Sequence, residues 1–131
     1  MATNETRTKA SGYFRAMQNG EEIFNATEIF ISNEANNIVI SGFIDSHSPN
    51  YRSIDVLIDS QTPTGEQQFE RGKLLKEVIY KSDSSLMHAY SGSFNADLNT
   101  TTKHYKLTFT LMFGGQSSAI EGELDVIRLI D

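Results

Sequence analysis

Three stretches, EIFNATEIFIS (Glu22–Ser32), NIVISGFID (Asn37–Asp45) and SIDVLID (Ser53–Asp59), decide how this chain folds. Each alternates apolar with polar residues, the period-two signature of a strand with one face against a core. Laid side by side as a meander, they set Ile29 and Ile31 opposite Ile40 and Ile38. The same register sets Ile40, Gly42 and Ile44 opposite Ile58, Val56 and Ile54. One sheet face is then a field of isoleucine and valine, which is core. The other carries Phe24, Ala26, Phe30, Val39, Phe43 and Leu57 among Glu28, Asp55 and Asp59. That mixture reads as a partly covered or binding surface.

Outward from this meander the strand pattern continues in both directions. Ser11 to Gln18 alternates, with Phe14 and Ala16 on one side, and Asn19-Gly20 follows it. Asn-Gly tolerates positive φ at both central positions of a type I′ turn, so a hairpin is expected here, with Ala16 opposite Ile23 and Phe14 opposite Asn25. Residues 1–10 lack a hydrophobic period and read as a flexible N-terminal leader to a single β domain over 11–131. Thr64, Gln67, Phe69 and Gly72 supply a cap, a capping partner, an anchor and a stop for a short helix around residues 64–71. Lys73 to Lys81 reads as a strand. Farther on, His88, Tyr90, Gly92, Phe94 and Ala96 pair with the Tyr105–Phe113 strand, with Phe94 opposite Tyr105 and Tyr90 opposite Phe109; Gly114-Gly115 turns the chain into Ile120, Gly122, Leu124 and Val126. Seven to eight antiparallel strands, largely meander-connected, predict an all-β sandwich or barrel.

Composition narrows the chemistry. A chain of 131 residues without cysteine can bury a core unaided but can form no disulfide, thiolate metal site or cysteine nucleophile. Eleven basic against 17 acidic residues give a net charge of −6, and no basic patch of the kind that neutralises phosphates appears, so nucleic acid is not an expected partner. No segment is apolar over the roughly 20 residues of a membrane span, and no secretory signal is visible. A cytoplasmic location is the default expectation, and secretion after processing stays open.

The three histidines do not converge. His88 falls on the apolar face and His104 on the polar face of one hairpin, about 20 Å apart along the strand, and His47 sits in a separate loop. Asp55 and Asp59 share a strand face with Asp45 and Glu28 nearby, but two residues four apart on a strand are separated by about 13 Å, too far for a paired-acid site. Glu121, Glu123 and Asp125 form a second outward stripe, partly balanced by Lys106. No Gly-x-Ser-x-Gly elbow or phosphate-binding glycine loop is present. No catalytic residue, metal ligand or cofactor is assigned.

Aromatic residues carry the remaining signal. Most alternate inward, while Tyr13, Tyr51 and Tyr80 are candidates for exposed rings that grip a partner. Gly42 and Gly92, each opposite a large residue, relieve crowding, permit strand curvature or open a small cavity. The leading expectation is a non-catalytic binding module that recognises a protein or carbohydrate partner through a sheet face or end loops at residues 46–52 and 60–72. Candidate binding residues are Phe24, Glu28, Phe43, Asp55, Asp59, Tyr51 and Tyr90. The alternative is a small barrel holding an apolar ligand internally, lined by Tyr90, Phe94, Phe109 and Leu111; a hydrolase using scattered Asp and His residues ranks third. The sequence leaves the oligomeric state open, and a partly apolar second face is compatible with a homodimer.

Overall fold

Residues 8–45, 51–82 and 85–129 are described by the structure, a computed structural model. Ten strands form, and among the described residues there is no helix: β1 (Thr8–Gln18), β2 (Glu21–Asn25), β3 (Glu28–Glu34), β4 (Asn37–Ile44), β5 (Arg52–Asp59), β6 (Gly65–Gln68), β7 (Leu75–Ser82), β8 (Ser85–Asn99), β9 (His104–Phe113) and β10 (Ile120–Arg128). Eight of them close an antiparallel barrel in the order β1-β3-β4-β5-β7-β8-β9-β10, with β10 returning to β1. The two remaining strands extend edges: β2 pairs with the second half of β1, and β6 with the second half of β8. Thr8, Lys9 and Ala10, read from the sequence as leader, begin β1, and residues 1–7 lie outside the described residues.

Two strands are shared between the barrel's walls. β1 pairs with β3 through Thr8 and Lys9 and with β2 through Arg15 to Gln18. β8 pairs with β7 through Ser85 to His88 and with β6 through Ser93 to Ala96. Each contains a glycine where it passes from one wall to the other. Gly12 has φ 123° and Gly92 φ 134°, a region closed to side chains, and a Cβ would lie 2.0 Å from the Asp125 carbonyl oxygen or 2.1 Å from that of Thr110. Glycine lets both strands bend while staying hydrogen-bonded to β10 and β9. One wall, built on β3, β4, β5 and β7, holds the isoleucines; the opposite wall is built on β1, β10, β9 and the second half of β8.

The isoleucine field is the core. Ile31, Ile38, Ile40, Ile54, Val56 and Ile58 are at most 1 % exposed, and Phe14, Phe24, Tyr105, Leu107, Leu111 and Phe113 meet them from the other wall and the strand ends. Registers differ from the sequence expectation by an even number of residues. A two-residue turn at Ala35-Asn36 sets Ile31 opposite Ile40 and Ile29 opposite Gly42, and the next pair sets Ile40 opposite Val56. The β8–β9 turn closes later than expected because the Asn99 side chain accepts from the amides of Thr101 (3.1 Å) and Thr102 (3.0 Å). Phe94 therefore faces Phe109, not Tyr105. Even shifts leave every face assignment intact.

Odd shifts do not, and they produce the corrections. The Asn19-Gly20 turn forms as expected, with Gln18 opposite Glu21, but a bulge at Ala16/Met17 sets Ala16 opposite Phe24. Phe24 then points inward, and its chain returns to the outer parity only after Ala26-Thr27. A bulge between Ala89 and Ser91 turns Tyr90 out of the interior and Ala89 into it. The expected helix at 64–71 is instead β6, hydrogen-bonded to Ser93–Ala96, with the Phe69 amide extending the ladder to Gly92 O at 2.8 Å. β8 has an unpaired edge there once β7 has left it, and main-chain hydrogen bonds to that edge outweigh a two-turn helix's weak intrinsic stability. Phe69 does act as the anchor, 5 % exposed.

Gly42 opens no cavity. The Phe14 ring and the Ala26 methyl occupy the space its side chain would fill. No helix among the described residues is long and apolar enough to cross a membrane.

Candidate functional site

Because cross-strand partners share a face, the registers of β3, β4, β5, β7 and β8 arrange the outer surface of the isoleucine wall in rows. One row runs Glu28, Phe43, Ser53, Lys81, Leu86; the next Phe30, Ser41, Asp55, Ile79, His88; the third Ser32, Val39, Leu57, Glu77; the last Glu34, Asn37, Asp59. Five of these side chains, Phe30, Val39, Phe43, Leu57 and Ile79, are apolar and only half-buried. Phe30 and Phe43 pack edge to face with centroids 6.0 Å apart at 70°. Serines at 32 and 41 leave a low floor beside those rings, and an open groove of about 360 Å³ lies there, walled by Phe30, Val39, Phe43, Asp55 and Lys81. At the β8 margin Leu86 and Tyr90 are 58 % and 57 % exposed.

Charges border this apolar strip in pairs. Lys81 Nζ lies 3.2 Å from Asp55 Oδ2. Glu77 Oε2 accepts from Arg71 at 2.9 Å and lies 2.5 Å from His88 Nδ1. Asp59 sits at the end of β5, where its carboxylate accepts from the Gln61 amide at 2.8 Å and so shapes the following turn. Partly exposed pairs of this kind hold geometry more than they add stability.

The opposite wall differs in chemistry. Its outer surface carries Arg15, Lys106, Thr108, Thr110, Asn95 and Asp97, all exposed. Arg15 pairs with Glu123 at 3.1 Å and lies 4.9 Å over the Tyr13 ring, and Tyr13 donates its hydroxyl to Glu123 at 3.1 Å. That hydrogen bond to a carboxylate, followed by desolvation and the charges of Glu123 and Asp125, raises the Tyr13 pKa above its ordinary value. His104 Nε2 is 2.6 Å from Asp125 Oδ1. Lys106 faces Asp125 across the β9–β10 pair, as expected for a balanced stripe.

Of the residues expected to bind, Glu28, Phe43, Asp55 and Asp59 do share one outer face, with Tyr90 at its margin. Tyr51 is exposed at 37 % beside loop residues 46–50, which lie outside the described residues together with His47. Phe24 belongs to the core, 1 % exposed between Phe14 and Tyr80, and Tyr80 is buried with it. Tyr90, expected to line the interior, lies outside. His88, expected on the apolar inner face, is on the outer surface with Glu77. Phe30, Val39 and Leu57 belong to the candidate surface too, and their shared parity with Phe43 and Asp55 was the signal for them. Ile79 depends on a bulge in β7 and Leu86 on the one at Ala89/Ser91 in β8, and neither carries such a signal.

Among the described residues no group of three or more His, Asp or Glu side chains is arranged to hold a metal ion. Ser91 and Ser93 lie inside β8, in no nucleophile turn. The arrangement suits contact with a partner: an apolar strip with a shallow groove, framed by charge. No protein-family model matches the chain, and comparisons with curated proteins and with solved structures find no significant match.

Proposed function

We propose that this protein is a non-catalytic binding module whose recognition surface is the outer face of β3, β4, β5, β7 and β8, and that its partner is a protein. The observation that carries this reading is the apolar strip Phe30, Phe43, Val39, Leu57 and Ile79, continued by the well-exposed Leu86 and Tyr90. A sheet face turned to water alone is expected to carry polar residues, as the opposite wall does. Large apolar side chains left half-covered beside a groove are a mark of an interaction surface. Phenylalanine, valine, leucine and isoleucine offer few hydrogen-bonding groups to a sugar, which favours a protein over a carbohydrate. Support for internal ligand storage is weaker, since Phe94, Phe109 and Leu111 are at most 3 % exposed, packed within the core.

The test uses Leu57→Ser combined with Ile79→Ser, two half-buried positions on that outer face whose loss leaves the core untouched. Affinity capture with wild type and variant, each checked by thermal melting, should retrieve a partner protein with the wild type that the variant loses. Identical retrieval by both proteins would refute the reading. Binding on a glycan array that the variant abolishes would replace the protein partner with a carbohydrate.

A further inference from the structure

The outer face of the isoleucine wall is complementary to itself, and we infer that the partner it takes is a second copy of this chain. This rests on the reading of that face as a protein-binding surface and names its occupant. Two sheets stack face to face about 10 Å apart. A twofold axis lying between them, parallel to the strands and passing between β4 and β5, sets β3 over β7 and β4 over β5 of the second copy. Row for row, Glu28 then meets Lys81, Phe30 meets Ile79, Val39 meets Leu57 and Ser41 meets Asp55, and each contact occurs twice. Acid faces base, apolar faces apolar, and a hydroxyl faces a carboxylate able to accept from it. Ser32, 5 % exposed with no hydrogen-bond partner for its hydroxyl among the described residues, falls against the Glu77 carboxylate.

The other symmetric stacking, with the axis across the strands, sets β3 on β3 and brings Glu28 against Glu34. Like charges facing each other cost affinity, so charge selects the first arrangement. Stacked sheets cross at about 30°, so Val39–Leu57 and Ser41–Asp55, nearest the axis, meet most closely. The longer Phe30, Glu28 and Lys81 reach across the diverging margins. Four strands about 4.8 Å apart, each contributing about 20 Å, present on the order of 400 Å². Counted over both copies that is about 800 Å², below the roughly 1,200 Å² at which standard specific interfaces begin, so the dimer is a weak and reversible one.

Reciprocal charge reversal tests the axis directly. Lys81→Glu sets acid against Glu28 twice per dimer, and Glu28→Lys sets base against Lys81 twice. Each variant alone should dimerise at least roughly tenfold more weakly than wild type in sedimentation velocity. An equimolar mixture should recover the dimer, because the mixed pair regains both opposite-charge contacts. Recovery on mixing is not something a loss of folding in either variant can imitate, and thermal melts check each protein separately. A wild type that stays monomeric, or a mixture that behaves as the two variants apart, overturns the inference. A photo-cross-linking residue in place of Leu57 should link to the β4 segment around Val39 of another copy. A link to residues 1–7 of the same chain would instead make that segment the occupant and overturn self-pairing. If wild type is monomeric yet Leu57→Ser/Ile79→Ser still loses a captured protein, only the choice of partner fails; if that variant also changes nothing, the binding surface fails with it.

Discussion

Replacing Gly42 with alanine probes how the core closes where β1 crosses the isoleucine wall. Gly42 faces inward on β4, and a methyl group there meets Phe14 Cδ2 at 2.8 Å and the Ala26 methyl at 3.1 Å. Carbon atoms prefer about 3.5–4.0 Å, so the ring must retreat by about 1 Å. It has little room to do so. Phe14 is fully buried and packs edge to face on Phe24 at 5.8 Å, which in turn meets Tyr80 at 6.2 Å. Gly42→Ala should therefore destabilise by about 1–3 kcal/mol through overpacking, and Phe14→Ala by about 3–5 kcal/mol through loss of buried area and a cavity. The two changes are coupled. With the ring gone, the new methyl enters vacated space, and alanine also restricts the unfolded chain by about 0.4–1 kcal/mol relative to glycine. The double variant should match or slightly exceed the stability of Phe14→Ala, a coupling on the order of 2 kcal/mol. Urea unfolding of the four proteins, followed by circular dichroism with the m value held as a control, measures it. Costs that add within about 0.5 kcal/mol would refute the claim that the ring occupies the glycine's space.

Ile40→Asp should unfold the domain, since it places an unpaired charge at a position with 0 % exposure, whereas Glu123→Lys should change the melting temperature little because its pair with Arg15 is exposed; equal tolerance in thermal melts would mean the faces are misassigned. Gly12→Ala and Gly92→Ala should each cost more than about 3 kcal/mol, because a strained φ is added to a backbone clash, and near-neutral melts would show that β1 and β8 do not bend there. In an ultraviolet tyrosinate titration Glu123→Gln should lower the pKa of Tyr13, whose hydroxyl keeps its proton longer while bonded to the carboxylate. As a group whose folded-state pKa is raised, Tyr13 contributes stability that is present below the ordinary tyrosine value and lost as pH rises through the raised one; an unchanged titration would place its hydroxyl elsewhere.

How much of the candidate surface was legible depends on the parity of each strand. Phe30, Val39, Phe43, Asp55 and Leu57 alternate with buried neighbours in uninterrupted strands, so their common face could be read directly, even though the register was two residues off. Phe24 and Tyr90 were misplaced for one shared reason. Each lies next to a bulge, at Ala16/Met17 or Ala89/Ser91, and one extra residue reverses the facing of everything beyond it. The expected helix at 64–71 failed differently. Its capping residues are real local signals, but the open edge of β8 that captures Gly65–Gln68 lies nearly thirty residues away in the chain, and no local pattern reports it.

Alternation therefore determined, by itself, that the chain is all-β, which isoleucines are core and that a second, mixed face exists. Burial acts on each side chain through its own position on the pleat, and a two-residue slip in pairing leaves that position unchanged. Only the tertiary structure decided that the sheet closes on itself, with Gly12 and Gly92 carrying β1 and β8 from wall to wall. It also decided which of Phe24, Tyr80 and Tyr90 meet solvent, and that Glu28 and Lys81 lie in one row at opposite margins of the same face. Closure, bulges and rows are set by hydrogen bonds between distant segments, whose partners are chosen by the whole barrel and not by any one strand.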